Sequence, residues 1–150
     1  MRKSLAIILL AIALLVSNRE EPTEVHYALR PTVDQFISDA VTYGIDVTTI
    51  KDSLDFIVPF PIDNNMYGVY TPFNRQVSIN VRNCNNPIIL KAVMYHELGH
   101  VFGLGHDSGG IMESGLHPLH LTIRYSDPLT WELHKKVLFT EIKRLQNNKK

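Results

Sequence analysis

The sequence predicts an α+β domain, because helical and strand-like apolar patterns follow one another along a chain of single-domain length. Three helical patterns and three short strand-like patterns account for most of residues 31–147. Hydrophobic residues make up 45% and charged residues 20%, which is typical of a globular protein that buries its own core. With no internal repeat or low-complexity segment, residues 31–150 are predicted to form one domain.

The charge balance argues against a nucleic-acid partner. Lys plus Arg and Asp plus Glu both number 15, so the formal net charge is zero. Nucleic-acid binding depends on a basic face that neutralises phosphates. A single cysteine, Cys84, excludes an intramolecular disulfide and is expected to be a buried small hydrophobic residue. We expect a monomer.

The first 18 residues are predicted to be a targeting segment. Arg2 and Lys3 precede an unbroken apolar run of 12 residues, 5–16, which then gives way to polar residues. That length is typical of a signal peptide and too short to span a bilayer comfortably. We therefore predict a signal peptide over 1–18 and a linker over 19–30; an uncleaved anchor remains the alternative. Either places the domain outside the cytoplasm, secreted or held in the periplasm or cell envelope, with membrane contact only through an uncleaved leader.

The first helix is predicted to run from Pro31 to Gly44. One apolar stripe defines it, and Gly44 is suited to a left-handed helix end. The residues of the stripe are Val33, Phe36, Ile37, Ala40 and Val41.

Three strands are predicted next, over residues 54–60, 66–71 and 75–81, with Pro59 ending the first. Residues 71–74 form the turn between the second and third. In the third strand apolar and polar residues alternate, which predicts one buried and one solvated face. The buried set is Val77, Ile79 and Val81, and the solvated set is Gln76, Ser78 and Asn80.

Two further helices complete the prediction. Asn86-Pro87 provides an N-cap followed by proline, and the helix is expected to end near Gly103. The chain then reads as a loop through residue 125, and Ser126-Asp127-Pro128 begins the last helix. Its predicted apolar face is Leu129, Leu133, Val137, Leu138, Ile142 and Leu145, and Trp131 is also expected in the core.

Residues 96–106 contain three histidines and a glutamate at a spacing that suits a metal site. His96 and His100 are four apart on a predicted helix, so both imidazoles lie on one face and can reach one metal ion. Glu97 adjoins the first ligand and can take a proton from a water beside the metal. If the helix continued, His106 would point away; Gly103 can end the helix with a positive φ and return His106 to the metal. Three imidazoles suit zinc, with one position left open.

This string, HExxHxxGxxH, resembles the motif of the metzincin clan of zinc endopeptidases. Residues 108–112 resemble the clan's Met-turn, in which Met112 would pack beneath the imidazoles as a structural residue. The short connection from His106 to Met112 is more like matrixins or compact bacterial members, and we leave the family open.

The resemblance implies a fold and an activity. It implies a small twisted mixed sheet, an active-site helix, a Met-turn loop and a C-terminal helix. An edge strand would pair with an extended peptide substrate, and residues 66–71 are the candidate. The implied activity is peptide-bond hydrolysis by a zinc-activated water, with Glu97 as general base and one Zn²⁺ as cofactor. The alternative is a catalytically inactive, secreted binding protein that keeps this fold.

Three residues near the motif are expected to lie outside the chemistry. His117 and His120 are predicted to be ordinary loop histidines. Tyr125 stands 13 residues after Met112, which is long for a contact with the metal, so we expect plain packing or surface placement.

Overall fold

The structure, a computed structural model, describes residues 23–59, 66–115 and 118–149. The strands are β1 (Glu24–Val25), β2 (Phe56–Pro59), β3 (Gly68–Thr71) and β4 (Gln76–Ile79). The helices are α1 (Arg30–Thr42), α2 (Thr48–Ser53), α3 (Pro87–Val101), α4 (Pro118–Ser126) and α5 (Pro128–Asn147). Short 3₁₀ turns occupy Pro72–Asn74, His106–Ser108 and Gly110–Met112. The predicted leader, 1–18, lies outside the described residues. Within the described part, no helix is both long and apolar enough to cross a bilayer.

The strands form one mixed sheet in the order β1-β2-β4-β3. β1, β2 and β4 are parallel to one another, and β3 pairs with β4 in the antiparallel sense. β4 is therefore an interior strand and β3 an edge strand. The predicted α+β class is confirmed, with a small mixed sheet beside a larger helical part.

The two predicted helix starts and the glycine end of α1 are confirmed. The Asn86 side chain accepts the Ile88 N–H at 2.8 Å and caps α3, and Asp127 caps α5 in the same way. At the end of α1, Gly44 has φ +71, and Ile45 N–H donates to the Ala40 carbonyl at 3.0 Å. This is the Schellman arrangement, which satisfies the last carbonyls of a helix.

An aromatic cluster holds α1, α3 and α5 together. Phe36 of α1 lies 5.0 Å from the Tyr95 ring of α3 and 5.3 Å from the Phe139 ring of α5. The Tyr95 hydroxyl donates to Asp39 at 2.8 Å, and Lys135 is paired with the same carboxylate at 3.3 Å. Burying the charged Asp39 and Lys135 beside this core is tolerated because each has a partner. The cluster thereby fixes α3, the helix that carries the predicted metal ligands.

The predicted wet face of the third strand is wrong. Ser78 and Asn80 are 2% and 1% exposed, whereas Val81 is exposed. Ser78 is a small side chain flanked by its paired residues Val58 of β2 and Val69 of β3, and both Ser78 and Asn80 have hydrogen-bond partners inside the fold. Ser78 accepts from Gln76, and Asn80 donates to the Met66 carbonyl at 3.1 Å. Asn80 therefore helps to hold the chain that enters β3.

The predicted apolar face of the last helix is only partly right. Leu138 and Ile142 are buried and Leu145 packs at the edge of the core, but Leu129, Leu133 and Val137 are exposed. The buried face is Trp131, Lys135, Leu138, Phe139 and Ile142. Trp131 is thus in the core as predicted. The large rings of Trp131 and Phe139 pack against α3 and α1, and this contact sets the rotation of the helix.

Two segments predicted to lack regular structure contain it. The stretch read as a loop from 103 to 125 ends in the helix α4. The segment read as a linker, 19–30, contributes β1 and a fully buried Leu29. A two-residue strand offers too short a pattern to be recognised, and its pairing with β2 is decided only in the folded chain.

Candidate metal centre

α3 places two imidazoles side by side. His96 and His100 stand one helical turn apart, and their Nε2 atoms are 3.1 Å from each other. The Asn86 cap and the aromatic core hold the helix from which both project. The predicted pairing of these two histidines is therefore present in the structure.

The third imidazole arrives through a glycine turn. Gly103 has φ +93, Gly103 N–H donates to the His100 carbonyl at 2.9 Å, and Leu104 N–H donates to the Gly99 carbonyl at 3.1 Å. This Schellman arrangement ends α3 and reverses the chain. His106 Nε2 then lies 3.1 Å from His100 Nε2 and 3.2 Å from His96 Nε2. The predicted convergence of three histidines is confirmed.

Backbone carbonyls determine the tautomer of two of these rings. His96 Nδ1 is 2.8 Å from the Ile111 oxygen, and His100 Nδ1 is 2.8 Å from the Leu104 oxygen. A carbonyl oxygen only accepts, so each Nδ1 carries the proton and each Nε2 presents a lone pair. Burial lowers the pKa of His96 to about 4 and also lowers that of His100. Both rings are thus neutral near pH 7, which is the form that binds metal.

The geometry fits a tetrahedral ion. Two nitrogens bonded at about 2.0–2.1 Å to one tetrahedral zinc stand roughly 3.3 Å apart. The three Nε2 atoms here are 3.1–3.2 Å apart. His96 and His100 both present lone pairs at 3.1 Å from each other, and these repel one another unless a cation lies between them. A metal ion is the group that this donor set suits.

Residues 110–112 pack against α3. Met112 is 1% exposed and lies against Gly99, at a separation that a Cβ on Gly99 would not allow. Gly99 sits on α3 between the two helical histidines, so Met112 packs on the part of the helix that carries them. Ile111, the preceding residue, supplies the carbonyl that holds His96. The predicted structural place of Met112 agrees with this packing.

Glu97 is enclosed between α3 and the edge strand. It is 6% exposed, and burial raises its pKa to about 7, while a hydrogen bond from the Tyr70 N–H acts in the opposite direction. A carboxyl group with a pKa near neutrality exchanges protons readily under physiological conditions. Glu97 lines the same cleft as the three histidines.

The edge strand bounds the cleft. Its volume is about 970 Å³, and β3 with its flanking residues forms one wall. α3 and residues 113–115 also line it, and Glu113 is paired with Arg124 of α4 at 2.7 Å. The predicted edge strand, 66–71, therefore does lie along the cleft, with its regular part at Gly68–Thr71.

Among the described residues, the other His and Cys side chains singled out in the sequence do not join the three imidazoles within reach of one ion. Tyr125 is buried, packs on Trp131 and contacts His134 through its hydroxyl, as expected for a packing residue. Cys84 is buried, and burial raises the pKa of its thiol to about 12. His120 is exposed on α4, so it is helical and not part of a loop. His117 lies outside the described residues.

Sequence reasoning missed several parts of the site. The carbonyls of Leu104 and Ile111 have no sequence signal, because any residue supplies one. Gly68 lies in the predicted strand 66–71, and an isolated glycine in a strand often marks a close backbone approach, which is a signal for such a contact. Here a Cβ at Gly68 would lie 2.9 Å from Glu97 Cγ.

No protein-family model, curated protein or solved structure matches this chain.

Proposed function

We propose that this protein is a zinc-dependent endopeptidase of the metzincin type that acts outside the cytoplasm on extended peptide segments. The observation that supports it most is the triangle of Nε2 atoms at 3.1–3.2 Å, with Glu97 in the same cleft. The spacing of the motif, the glycine turn and the packing of Met112 against Gly99 agree with the same proposal.

His96, His100 and His106 would hold the metal through Nε2. When bound, zinc would supply the positive charge that polarises a peptide carbonyl and acidifies a water molecule. Three protein ligands leave a tetrahedral ion with one further position, which a structural site would normally fill with a fourth Cys or His. Among the described residues, the His, Cys, Asp and Glu groups close enough to share one ion are these three histidines.

Glu97 would handle the proton. Its carboxylate would take a proton from the attacking water and return it to the amine that leaves, so the same carboxyl group would serve as base and then as acid. Burial favours this use because it brings the pKa of Glu97 close to neutrality. The bond that breaks is the peptide C–N bond, and the water adds across it.

The edge strand would orient the substrate. An extended peptide that pairs with β3 receives backbone hydrogen bonds independent of its side chains. The apolar part of the cleft wall excludes water around the reacting bond. Its lining residues are Val69, Tyr70, Val93, Ile111 and Leu121.

The test compares the wild type with Glu97→Ala on denatured casein, after zinc loading and measurement of bound metal. We expect cleavage by the wild type, loss of cleavage on chelation and recovery on adding zinc. Glu97→Ala should bind one zinc and lose activity by at least roughly 10³-fold. Equal inertness of both proteins with one zinc bound would refute the peptidase and favour the secreted binding protein.

A further inference from the structure

Gly68 is in direct contact with the proposed general base. A Cβ built at Gly68 would lie 2.9 Å from Glu97 Cγ, 3.0 Å from Glu97 Oε1 and 2.8 Å from Val93 Cγ1. Carbon atoms that are not bonded pack at about 3.5–4.0 Å. The side chains of Val93 and Glu97, both on α3, thus occupy the space in which a side chain at residue 68 would have to stand.

The backbone conformation does not explain why this residue is glycine. The glycines with positive φ in the described part of the chain are Gly44, Gly103, Gly109, Gly110 and Gly115, so Gly68 is not among them. Glycine in a strand weakens the strand through its conformational entropy and lack of packing. The contact with α3 is the feature of this position that requires the absence of a side chain.

Tyr70 provides the second contact between Glu97 and the edge strand. The Tyr67 carbonyl accepts from Asn80 N–H at 2.8 Å, so residue 67 turns its backbone groups toward β4. Backbone groups alternate in direction along an antiparallel edge strand. The N–H of Tyr70 points away from β4, and it donates to the Glu97 carboxylate.

We infer that Gly68 is a positioning residue, whose missing side chain lets Glu97 lie against β3 and accept the Tyr70 N–H. This inference rests on the proposed function for its catalytic consequence, but the contact itself does not. The strand proposed to orient the substrate then also fixes the carboxylate that receives the proton. A side chain at residue 68 would push the Glu97 side chain away from β3, because the aromatic core holds α3 in place and the helix cannot move to relieve the clash.

The experiment measures peptidase kinetics and amide hydrogen exchange on the zinc-loaded full chain. Gly68→Ala should lower kcat by about 100-fold with little change in KM, since a displacement of about 1 Å at a reacting group has that effect. Bound zinc should remain at one per chain. Exchange of the Tyr70 amide should become as fast as in Glu97→Ala. Thr71→Ala, a change on the same strand, should retain the wild-type exchange rate of that amide.

A second variant separates Glu97 from simple crowding. Gly68→Ala combined with Val93→Ala removes the closest clash and leaves the clash with Glu97. The double variant should fold even if Gly68→Ala alone does not, and it should still show fast exchange at Tyr70 and low kcat. Return of both to wild-type values would show that Gly68 only makes room for Val93, and would overturn the inference.

The two proposals fail in different ways. If the wild type has no peptidase activity, the proposed function is wrong, and the exchange of the Tyr70 amide alone decides the role of Gly68. If the wild type is a peptidase, slow exchange of the Tyr70 amide in Gly68→Ala would overturn the positioning role of Gly68. Fast exchange of that amide with an unchanged kcat would also overturn it, and neither result would contradict the proposed peptidase function.

Discussion

Replacing Gly103 by alanine tests how the third histidine reaches the metal. Gly103 adopts φ +93, and a Cβ at this position would meet no atom within 4 Å. The substitution therefore adds backbone strain without a steric clash. Any loss of stability or of metal affinity reports the cost of the turn itself.

The expected cost follows from two opposing terms. An L-residue in a left-handed conformation costs roughly 1–2 kcal/mol. Restricting the unfolded chain by replacing glycine with alanine returns about 0.4–1 kcal/mol. The net loss in the free energy of unfolding should be about 1 kcal/mol, which corresponds to a decrease in melting temperature of roughly 3–5 °C for a domain of this size.

Metal affinity should fall as well. The turn contains the Leu104 carbonyl that holds His100, and it brings His106 to the other two imidazoles. If the strained turn opens in the metal-free variant, zinc binding must close it again, and this costs binding free energy. About 1 kcal/mol corresponds to an increase of roughly five-fold in the zinc dissociation constant. Competition with a chromogenic chelator measures this constant, and urea unfolding of the metal-free protein measures stability.

Gly44→Ala is the matched control. Gly44 ends α1 in the same Schellman arrangement with φ +71, and only the flexible end of Lys143 lies near its missing Cβ. Its stability loss should be similar, with zinc affinity unchanged. The reasoning is refuted if Gly103→Ala matches the wild type in stability, or if Gly44→Ala weakens zinc binding to the same extent.

Three further predictions concern the buried residues around the site. Met112→Ala should lower the free energy of unfolding by about 2–5 kcal/mol because it leaves a cavity beside α3, whereas Met112→Leu should lower it by less than about 1.5 kcal/mol. Equal losses for the two variants in urea unfolding would contradict the packing of Met112 against Gly99. In the metal-free protein, the folded state raises the pKa of Glu97 from 4.5 to about 7, so it binds a proton more tightly than the unfolded chain does. The stability that this proton contributes is complete below pH 4.5 and is lost as the pH rises through 7. The free energy of unfolding of Glu97→Gln should therefore increase relative to that of the wild type over that range, by at most about 3 kcal/mol. A constant difference between the two proteins across that range would exclude the effect. Cys84, with its thiol pKa raised to about 12, should react with Ellman's reagent at pH 8 only after unfolding, and rapid modification of the native protein would show that the thiol is accessible.

Local chemistry explains why some elements were predictable. The start of α3 at Asn86-Pro87, the start of α5 at Asp127-Pro128 and the end of α1 at Gly44 each depend on neighbours within a few residues. The same holds for the convergence of the histidines. The spacing of four residues on a helix and the glycine turn before His106 are local sequence features, so they could be predicted without any knowledge of the sheet.

Elements that depend on distant partners were predicted poorly. The rotation of α5 was misjudged because Leu129 and Leu133 satisfy the same helical period as Trp131 and Phe139, and only contact with α1 and α3 selects between them. Ser78 and Asn80 look solvated in an alternating strand, but the order of the strands places β4 inside the sheet.

By itself the sequence determined the α+β class, the principal helices and the three imidazoles, since these follow from hydrophobic periodicity, caps and fixed spacing along the chain. Only the tertiary structure decided what surrounds the imidazoles. The Ile111 carbonyl on His96, the sulfur of Met112 beneath Gly99 and the strand against Glu97 join residues far apart in the chain. Such contacts form when separate elements pack against one another, and no pattern within a single element specifies them.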